Sequence, residues 1–329
     1  MGNRRQTLLD DYMDLREAGS TSDFPNILGN VMNRKMLDWA QTVPDVWRKY
    51  VQIGDLADFR PATTIVGYEA EDLLPIGEEG AYQDSKLADA SFQIQLGTYG
   101  RAFSINRNVI INDDLNYIRQ QPRRFGRAAA RSIAMFVART LLEGNPNTFD
   151  GNALFHEASH VNNSTGGTSA LSDANIKTGI TRMRNQTVLG VYQTMTPKLL
   201  LVPPALEFQA RQIINSALIM AVGIPTTAVA TMGNANLLQN ALEIVVDPFL
   251  TVATQWYILA DPTDAAPIAV AFLNGKQTPD LLVERPTMTN VAGGDDPYEF
   301  EFDVMRYKVR YDYGGAASVW WGVQRFVGA

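Results

Sequence analysis

The sequence contains no cysteine and only two histidines among its 329 residues. The lack of cysteine excludes disulfide bonds, thiolate metal sites and cysteine-based catalysis. No apolar run approaches the roughly 18 residues that a membrane-spanning helix needs, and the N-terminus MGNRRQTLLDDYMD lacks the apolar core of a secretion signal. We therefore expect a soluble chain, made in a cytoplasm, whose durability comes from packing or assembly.

The chain also lacks an excess of positive charge. Its formal net charge is −7, which argues against a protein that grips nucleic acid over a broad basic face. Packing around a nucleic acid needs no such face and stays possible. The apolar content of 46% is that of a folded protein, and the length predicts one elaborated domain or two intertwined ones.

The stretch from Gly97 to Glu143 organises the rest of the chain. It predicts the end of a strand, a capped turn at residues 112–114, and a long helix that begins at Pro122 and ends at Glu143. That helix, named here the spine, would be about 33 Å long at roughly 1.5 Å per residue.

A long β-hairpin, named here the finger, precedes the spine. Alternating apolar residues mark its two strands, at Thr64, Val66 and Tyr68 on the way out and at Phe92, Ile94 and Leu96 on the way back. The apolar positions then change phase, to Phe103 and Ile105, and a bulge or bend at Gly97 and Gly100 would explain the change. The segment between the strands carries one lysine, Lys86, against six acids: Glu71, Asp72, Glu78, Glu79, Asp84 and Asp89.

The remaining segments alternate short strands with helices and then return to long strands. A helix is predicted from Pro25 to Pro44 and a short one at 46–50. Another is predicted to be capped by Ser172 or Asp173 and to reach about Gln186, and one begins at Pro204 with Leu206, Ala210, Ile213 and Ala217 on one face. Short strands are predicted at 198–202, 242–246, 256–259, 268–273 and 280–284, and one long strand at 298–313.

One short motif matches a known chemistry. The segment HEASH, His156 to His160, fits the HExxH pattern in which two histidines on a helix bind zinc and a glutamate activates water. The glycine- and asparagine-rich residues that follow make such a helix doubtful, so the main interpretation is a surface loop and the zinc hydrolase is a distant alternative. Gly275 and Lys276 do not form a phosphate loop, because the spacing fails. Residues 112–114 favour a helix cap over a cation site.

Three arginines recur on one face of the spine. Arg124, Arg127 and Arg131 are spaced three and four residues apart, so they form a basic stripe on a helix. The stripe is either a solvated face or a docking strip for the acidic finger of a neighbouring molecule.

The order of these parts resembles the major capsid protein fold of tailed bacteriophages, the Hong Kong 97 type. Local strings resemble one branch of that family, in which the capsid protein is encoded with or fused to a prohead protease. They are TSDFPNILGNV at 21–31, GTYGRAFSINRNVIINDDL at 97–115, GRAAAR at 126–131, NALFHEASHVN at 152–162 and LLLVPPALE at 199–207.

The resemblance implies an α+β fold with four parts, one of which is made of two separate segments of the chain. They are an N-terminal arm and helix (1–51), an extended β-hairpin loop (52–104), a peripheral domain with the spine helix and long β-strands (105–196 and 295–329), and a compact α/β axial domain (197–294).

The resemblance also implies a structural function. Such proteins form hexamers and pentamers of an icosahedral shell that encloses double-stranded DNA without reading its sequence, together with scaffolding, portal and sometimes decoration proteins. We therefore expect a virion protein that is assembled in the host cytoplasm, contacts no membrane, and has no catalytic, cofactor-binding or metal site. The alternative within the same fold is an encapsulin-like compartment. Some relatives crosslink a finger lysine to a neighbour, and Lys86 would be the lysine available here.

Overall fold

The structure is a computed structural model, and it describes residues 33–67, 73, 75–76, 89–106, 108, 115–193, 195–219, 234–284, 288–289, 295–296 and 303–328. The α-helices are α1 (33–40), α2 (Leu115–Met135), α3 (Asp173–Arg184), α4 (Glu207–Asn215) and α5 (Pro262–Ala265). A π-helix continues α2 over Phe136–Glu143, and 3-10 turns lie at Val46–Lys49, Gly167–Ser169 and Pro204–Leu206.

The strands are spread over the whole described chain. In order they are β1 (Val51–Leu56), β2 (Ala62–Gly67), β3 (Asp89–Ile94), β4 (Leu96–Asn106), β5 (Asn163–Thr165), β6 (Thr187–Val188), β7 (Val191–Tyr192), β8 (Pro197–Val202), β9 (Leu218–Ile219), β10 (Asn234–Ala235), β11 (Glu243–Val246), β12 (Gln255–Ala260), β13 (Ile268–Leu273), β14 (Asp280–Val283), β15 (Met288–Thr289), β16 (Asp295–Asp296), β17 (Val304–Ala317) and β18 (Val323–Val327). This confirms the mixed α+β class expected from the sequence.

The chain divides into two compact units. The first unit takes in the described parts of Met1–Asp45, Gly97–Ile133 and Phe272–Tyr313. The second takes in those of Val46–Leu96, Ala134–Ala271 and Gly314–Ala329.

A five-stranded sheet forms the core of the second unit. Its order is β11-β8-β12-β18-β5, with β12 antiparallel to both of its neighbours and the two outer pairs parallel. Every residue of β12 is buried, which is typical of a central strand with both faces covered. Helix α3 packs closely on this sheet, because a Cβ at Gly179 would lie 2.5 Å from Ile258 Cδ1. The short strands predicted between 198 and 284 are confirmed.

The first unit places a helix against a long strand. Along β17, buried residues alternate with more exposed ones at Met305, Tyr307, Val309 and Tyr311, as predicted for the C-terminal strand. From β4, Phe103 stacks on Phe125 of α2 at 4.4 Å and on Tyr307 of β17 at 5.2 Å. Phe103 thus links the spine helix to the long strand within this unit, and the course of the strand along the whole helix stays a prediction.

The start of the spine differs from the prediction. Helix α2 begins at Leu115 and passes through Pro122 without a break, so the prediction that the helix starts at Pro122 is wrong. A proline inside a helix removes one backbone hydrogen bond and costs about 3 kcal/mol. Pro122 and Gln121 are both buried, and we attribute the uninterrupted helix to that burial. The helical region ends at Glu143, as predicted, and the proposed cap at 112–114 lies outside the described residues.

The finger has the predicted antiparallel strands. Register pairs run from Ala62 with Ile94 to Gly67 with Asp89. Of the predicted acidic segment, Asp89 begins β3, and the other five acids and Lys86 lie outside the described part of the chain.

The change of apolar phase falls in the stretch where it was expected. The buried side chains are even-numbered up to Leu96, across the gap between β3 and β4 at Gln95, and the next buried one is Ile105. The change therefore lies inside β4, in the stretch that contains Gly97 and Gly100, and the bulge itself stays a prediction. Gly100 serves another purpose, because a Cβ there would lie 2.6 Å from the carbonyl oxygen of Val309 in β17. The glycine therefore permits close approach of two strands.

Candidate assembly surfaces

The basic stripe lies on the exposed face of α2. The side chains of Arg124, Arg127 and Arg131 are all exposed to solvent. Within the part of the chain that the structure describes, Arg127 and Arg131 have no ion-pair partner. The guanidinium groups of Arg127 and Arg131 can therefore donate hydrogen bonds to carboxylates of another molecule.

The opposite face of α2 is fixed by a close contact with α1. A Cβ at Gly126 would lie 2.2 Å from the carbonyl oxygen of Met36 and 3.2 Å from the amide nitrogen of Ala40. Beside this contact the Arg123 guanidinium lies 4.2 Å from the ring centre of Trp39, a cation–π distance. The glycine of the GRAAAR string therefore lets the two helix backbones touch, while Arg127 and Arg131 of the same string stay exposed to solvent.

The HEASH segment forms a turn and not a helix. His160 is only 1% exposed and stacks on Trp320 at 4.4 Å with nearly parallel rings, so the expected surface loop is wrong for this residue. Its Nε2 lies 2.7 Å from Asp150 Oδ2, and its Nδ1 lies 3.2 Å from the Leu154 carbonyl oxygen. Both ring nitrogens thus have hydrogen-bond partners.

The other residues of the motif do not form the arrangement that a zinc hydrolase needs. His156 Nδ1 accepts a hydrogen bond from the Ser159 amide at 3.0 Å, and Glu157 is exposed. In an HExxH site the two histidines lie one helical turn apart and aim at one ion. Among the described residues, no group of histidine and carboxylate side chains could hold a metal.

One buried and one half-buried asparagine explain why this segment is rich in polar residues. Asn162 donates to the carbonyls of Leu154, at 2.8 Å, and Trp320, at 3.1 Å, and accepts from the His156 amide at 3.0 Å. Asn145 pairs with both backbone groups of Phe155 at 2.6 and 3.1 Å. Each asparagine replaces backbone pairing that the irregular loop cannot provide, so the motif is structural.

Asp150 is held ionised by its neighbours. Burial by itself would raise the pKa of Asp150, but hydrogen bonds from Asn152, Thr148 and His160 outweigh it and lower the pKa. Because the folded pKa lies below the unfolded one, Asp150 contributes stability that is present at neutral pH and lost as the pH falls through the folded pKa.

Asp247 shows the opposite behaviour, and no motif or spacing in the sequence marks it. The carboxyl is 1% exposed, accepts a 2.8 Å hydrogen bond from the Tyr50 hydroxyl and another from the Phe249 amide. Burial raises the pKa of Asp247 despite these bonds, and it raises the pKa of Tyr50 as well. The protonated carboxyl therefore stabilises the fold at low pH, and this contribution is lost as the pH rises through the folded pKa.

Exposed apolar side chains are a further surface feature. The large ones among the described residues are Phe59, Ile65, Leu73, Ile76, Tyr99, Val161, Leu189, Tyr192, Phe208, Leu237 and Val252. Exposed apolar residues that gather in patches mark contacts with other molecules. No helix in the described residues has the length and apolar character to cross a membrane. The geometry thus offers a charged strip and several exposed apolar side chains that suit contacts between protein molecules.

Comparison with known proteins gives one family and a consistent fold. The family model described as phage capsid protein matches residues 89–326, well over half of the chain. No curated protein sequence matches the chain.

Solved structures with a similar fold include two named for actinobacterial phages. A chain named Mycobacterium phage Adephagia matches with a TM-score of 0.53 at 13% identity, over 87% of this chain and 90% of that chain. A chain named Gordonia phage Cozz matches with a TM-score of 0.53 at 10% identity, over 86% of each chain. A third, titled capsid of native GTA particle computed with C5 symmetry, gives a TM-score of 0.52 at 11% identity, over 87% of this chain and 92% of that chain. At such identities the similarity establishes the fold alone.

Proposed function

The chain belongs to the phage capsid protein family, and on that premise we propose that it is the major capsid protein of a tailed phage, a subunit of the virion's icosahedral shell. The observation that carries the proposal is the family match over residues 89–326, joined to a capsid-like fold. The family indicates a structural role, and we assign no catalytic residue to the chain.

The subunits of such a shell would associate as hexamers and pentamers and enclose double-stranded DNA without sequence-specific contacts. The net charge of −7 is consistent with this, since a chain of net negative charge does not bind DNA tightly through its overall charge. We further propose that a scaffolding protein and a portal complete the head, that decoration proteins can bind its surface, and that assembly takes place in the host cytoplasm. The domain assignment is part of the proposal, with residues 52–104 reaching neighbours and 197–294 at the ring centres.

The experiment is to express the full chain and examine it by sedimentation and negative-stain electron microscopy. Closed particles of uniform size are the expected result, and a chain that stays monomeric with its head proteins supplied would refute the proposal. Nuclease treatment then separates the two shells of this fold. Protected double-stranded DNA supports a phage head, whereas particles that protect only co-expressed proteins support an encapsulin-like compartment.

Within the shell, the basic stripe is proposed to dock the acidic finger of a neighbouring subunit. Support comes from the exposure of Arg124, Arg127 and Arg131 and from the opposite charge of the finger sequence. Reversing all three arginines to glutamate should abolish particles and leave the subunit folded.

A charge-swap control makes this test specific. Replacing Glu78, Glu79 and Asp84 by lysine in the reversed variant should restore assembly, because the attractive pairing returns with its signs exchanged. Normal particles from the arginine-reversed variant would show that the stripe is only a solvated face.

A further inference from the structure

The hairpin formed by β6 and β7 presents apolar side chains to solvent at a tight turn. Its strands pair Thr187 with Tyr192 and Val188 with Val191, so Leu189 and Gly190 form a two-residue turn. Leu189 is 74% exposed and Tyr192 is 63% exposed. A folded subunit by itself gains little from a leucine in this position, since the side chain stays in water.

The backbone at this turn is unfavourable for leucine. Leu189 has φ = 52° and Gly190 has φ = 86°, the left-handed pair that a type I′ turn requires. The same chain contains a second turn with both φ values positive, at Asn274 (49°) and Gly275 (68°), and there it uses the preferred Asn-Gly pair. Since Asn-Gly suits the geometry better, the turn itself does not account for Leu189.

The base of the hairpin is held firmly in the second unit. Gln186 Nε2 donates to the His160 carbonyl at 2.9 Å, and the Gln193 amide donates to the Gln186 carbonyl at 2.9 Å. Gln186, Val188 and Gln193 are buried, which directs Leu189 and Tyr192 outward. A rigid, pre-ordered tip loses little entropy when it binds.

A second exposed apolar residue with a strained backbone, Val161, directly follows His160, whose carbonyl accepts the hydrogen bond from Gln186. Val161 is 52% exposed and has φ = 52°, which is rare for a β-branched residue. Backbone strain of this kind persists where the surrounding structure fixes it, and it gathers at functional sites. The exposed residues Val161, Leu189 and Tyr192 are named here the hairpin patch.

The charge pattern indicates which molecule covers the hairpin patch. Residues 185–197 contain no charged side chain, although the chain as a whole carries −7. Two copies of this chain repel each other through their net charge, so an uncharged surface lets them approach at the lowest cost. Interface cores are also depleted in charge and enriched in tyrosine.

We propose that the hairpin patch is a contact between copies of this chain, with Leu189 inserted into the neighbouring subunit; the inference rests on the proposed shell function. Because the chain has no cysteine, Leu189→Cys introduces a single thiol, and the wild-type chain gives the labelling background. In particles assembled from this chain, we expect a maleimide to label that thiol at least about tenfold more slowly than in dissociated subunits. Equal rates would overturn the inference, as would protection seen only when other head proteins are present.

A substitution that improves the turn gives an independent test. Leu189→Asn should leave the melting temperature of the subunit equal or higher, because asparagine suits the positive φ, and should raise the subunit concentration for half-assembly about tenfold or more. The matched control, Asn274→Leu, places leucine in the other turn and should lower the melting temperature.

The outcomes separate this inference from the shell itself. Assembly of Leu189→Asn at the wild-type concentration would overturn the hairpin contact and leave the proposed shell intact. A wild-type chain that forms no particles with its head proteins supplied would refute the shell function instead.

Discussion

The contact between α1 and α2 makes Gly126→Ala the most informative single substitution. The added Cβ would lie 2.2 Å from the Met36 carbonyl oxygen and 3.1 Å from the Met36 carbonyl carbon. Both atoms belong to the backbone of a helix, so no change of side-chain rotamer can relieve the clash. The two helices must separate by about 1 Å to restore an ordinary contact distance.

The expected cost follows from two opposing terms. Overpacking of a close contact costs about 1–3 kcal/mol, and a backbone clash belongs at the upper end of that range. Alanine has a higher helix propensity than glycine, which returns about 1 kcal/mol. We therefore expect Gly126→Ala to lower the free energy of unfolding by about 2 kcal/mol.

Urea unfolding of the dissociated subunit, followed by tryptophan fluorescence, measures this loss. Trp39 lies in α1 beside the contact, where Arg123 stacks on it, so its emission also reports whether α1 has moved. The control is Gly54→Ala, since a Cβ at Gly54 meets nothing within 4 Å, and its stability should stay within about 0.5 kcal/mol of wild type. A Gly126→Ala subunit as stable as wild type would refute the close backbone contact between α1 and α2.

Four further predictions concern polar side chains of the second unit. Asp247→Asn should gain stability relative to wild type as the pH is raised from about 4 to about 7, because the variant lacks a carboxyl whose pKa is raised by burial. Urea titrations at several pH values measure the difference in unfolding free energy between the two proteins. A difference that stays constant with pH would contradict the prediction. Asp150→Asn should be less stable than wild type at pH 7, and the deficit should shrink as the pH is lowered below about 4, since the pKa of Asp150 is lowered in the fold. His160→Phe keeps the aromatic stacking but loses two hydrogen bonds, and should cost about 1–3 kcal/mol in urea unfolding; no loss would remove the argument for a structural histidine. Ser172→Ala removes the N-cap of α3 and should cost about 1 kcal/mol, read from the same titration.

Regular periodicity made most of the elements predictable. The alternation at Tyr307, Val309 and Tyr311 identified the long strand, and the apolar run at 198–202 identified a central strand of the second unit. The cap at Ser172 was also predictable, since its side chain accepts from the Asn175 amide through a purely local arrangement. Local patterns succeed where a residue's environment depends on its immediate neighbours.

The errors fall where distant packing outweighs local preference. Pro122 is a helix breaker by propensity, yet it is buried inside α2. His160 sits in a glycine- and asparagine-rich segment that favoured a surface loop, yet it stacks on Trp320, 160 positions further along the chain. Because the two residues are far apart in the sequence, no local pattern or short motif predicts their contact.

Of the candidate assembly surfaces, one was predictable from the sequence and the other was not. The spacing of Arg124, Arg127 and Arg131 placed them on one helix face from the sequence, because helical geometry is local. The exposure of Leu189 could not be predicted from the sequence, since leucine is more often buried in a core. A Val-Leu-Gly-Val run between short strands is the one signal that could have marked the turn.

The sequence by itself determined the class of the fold, the course of its helices and strands, and the resemblance to a phage capsid family, because periodicity, turn residues and motif strings are properties of neighbouring residues. The tertiary structure alone decided which polar residues are buried, that the HEASH segment is a hydrogen-bonded structural turn, and that Gly126 and Gly100 serve close backbone contacts. Those outcomes depend on which distant atoms come within a few ångströms of each other, and short-range free energies of packing and desolvation are fixed only when the chain has folded.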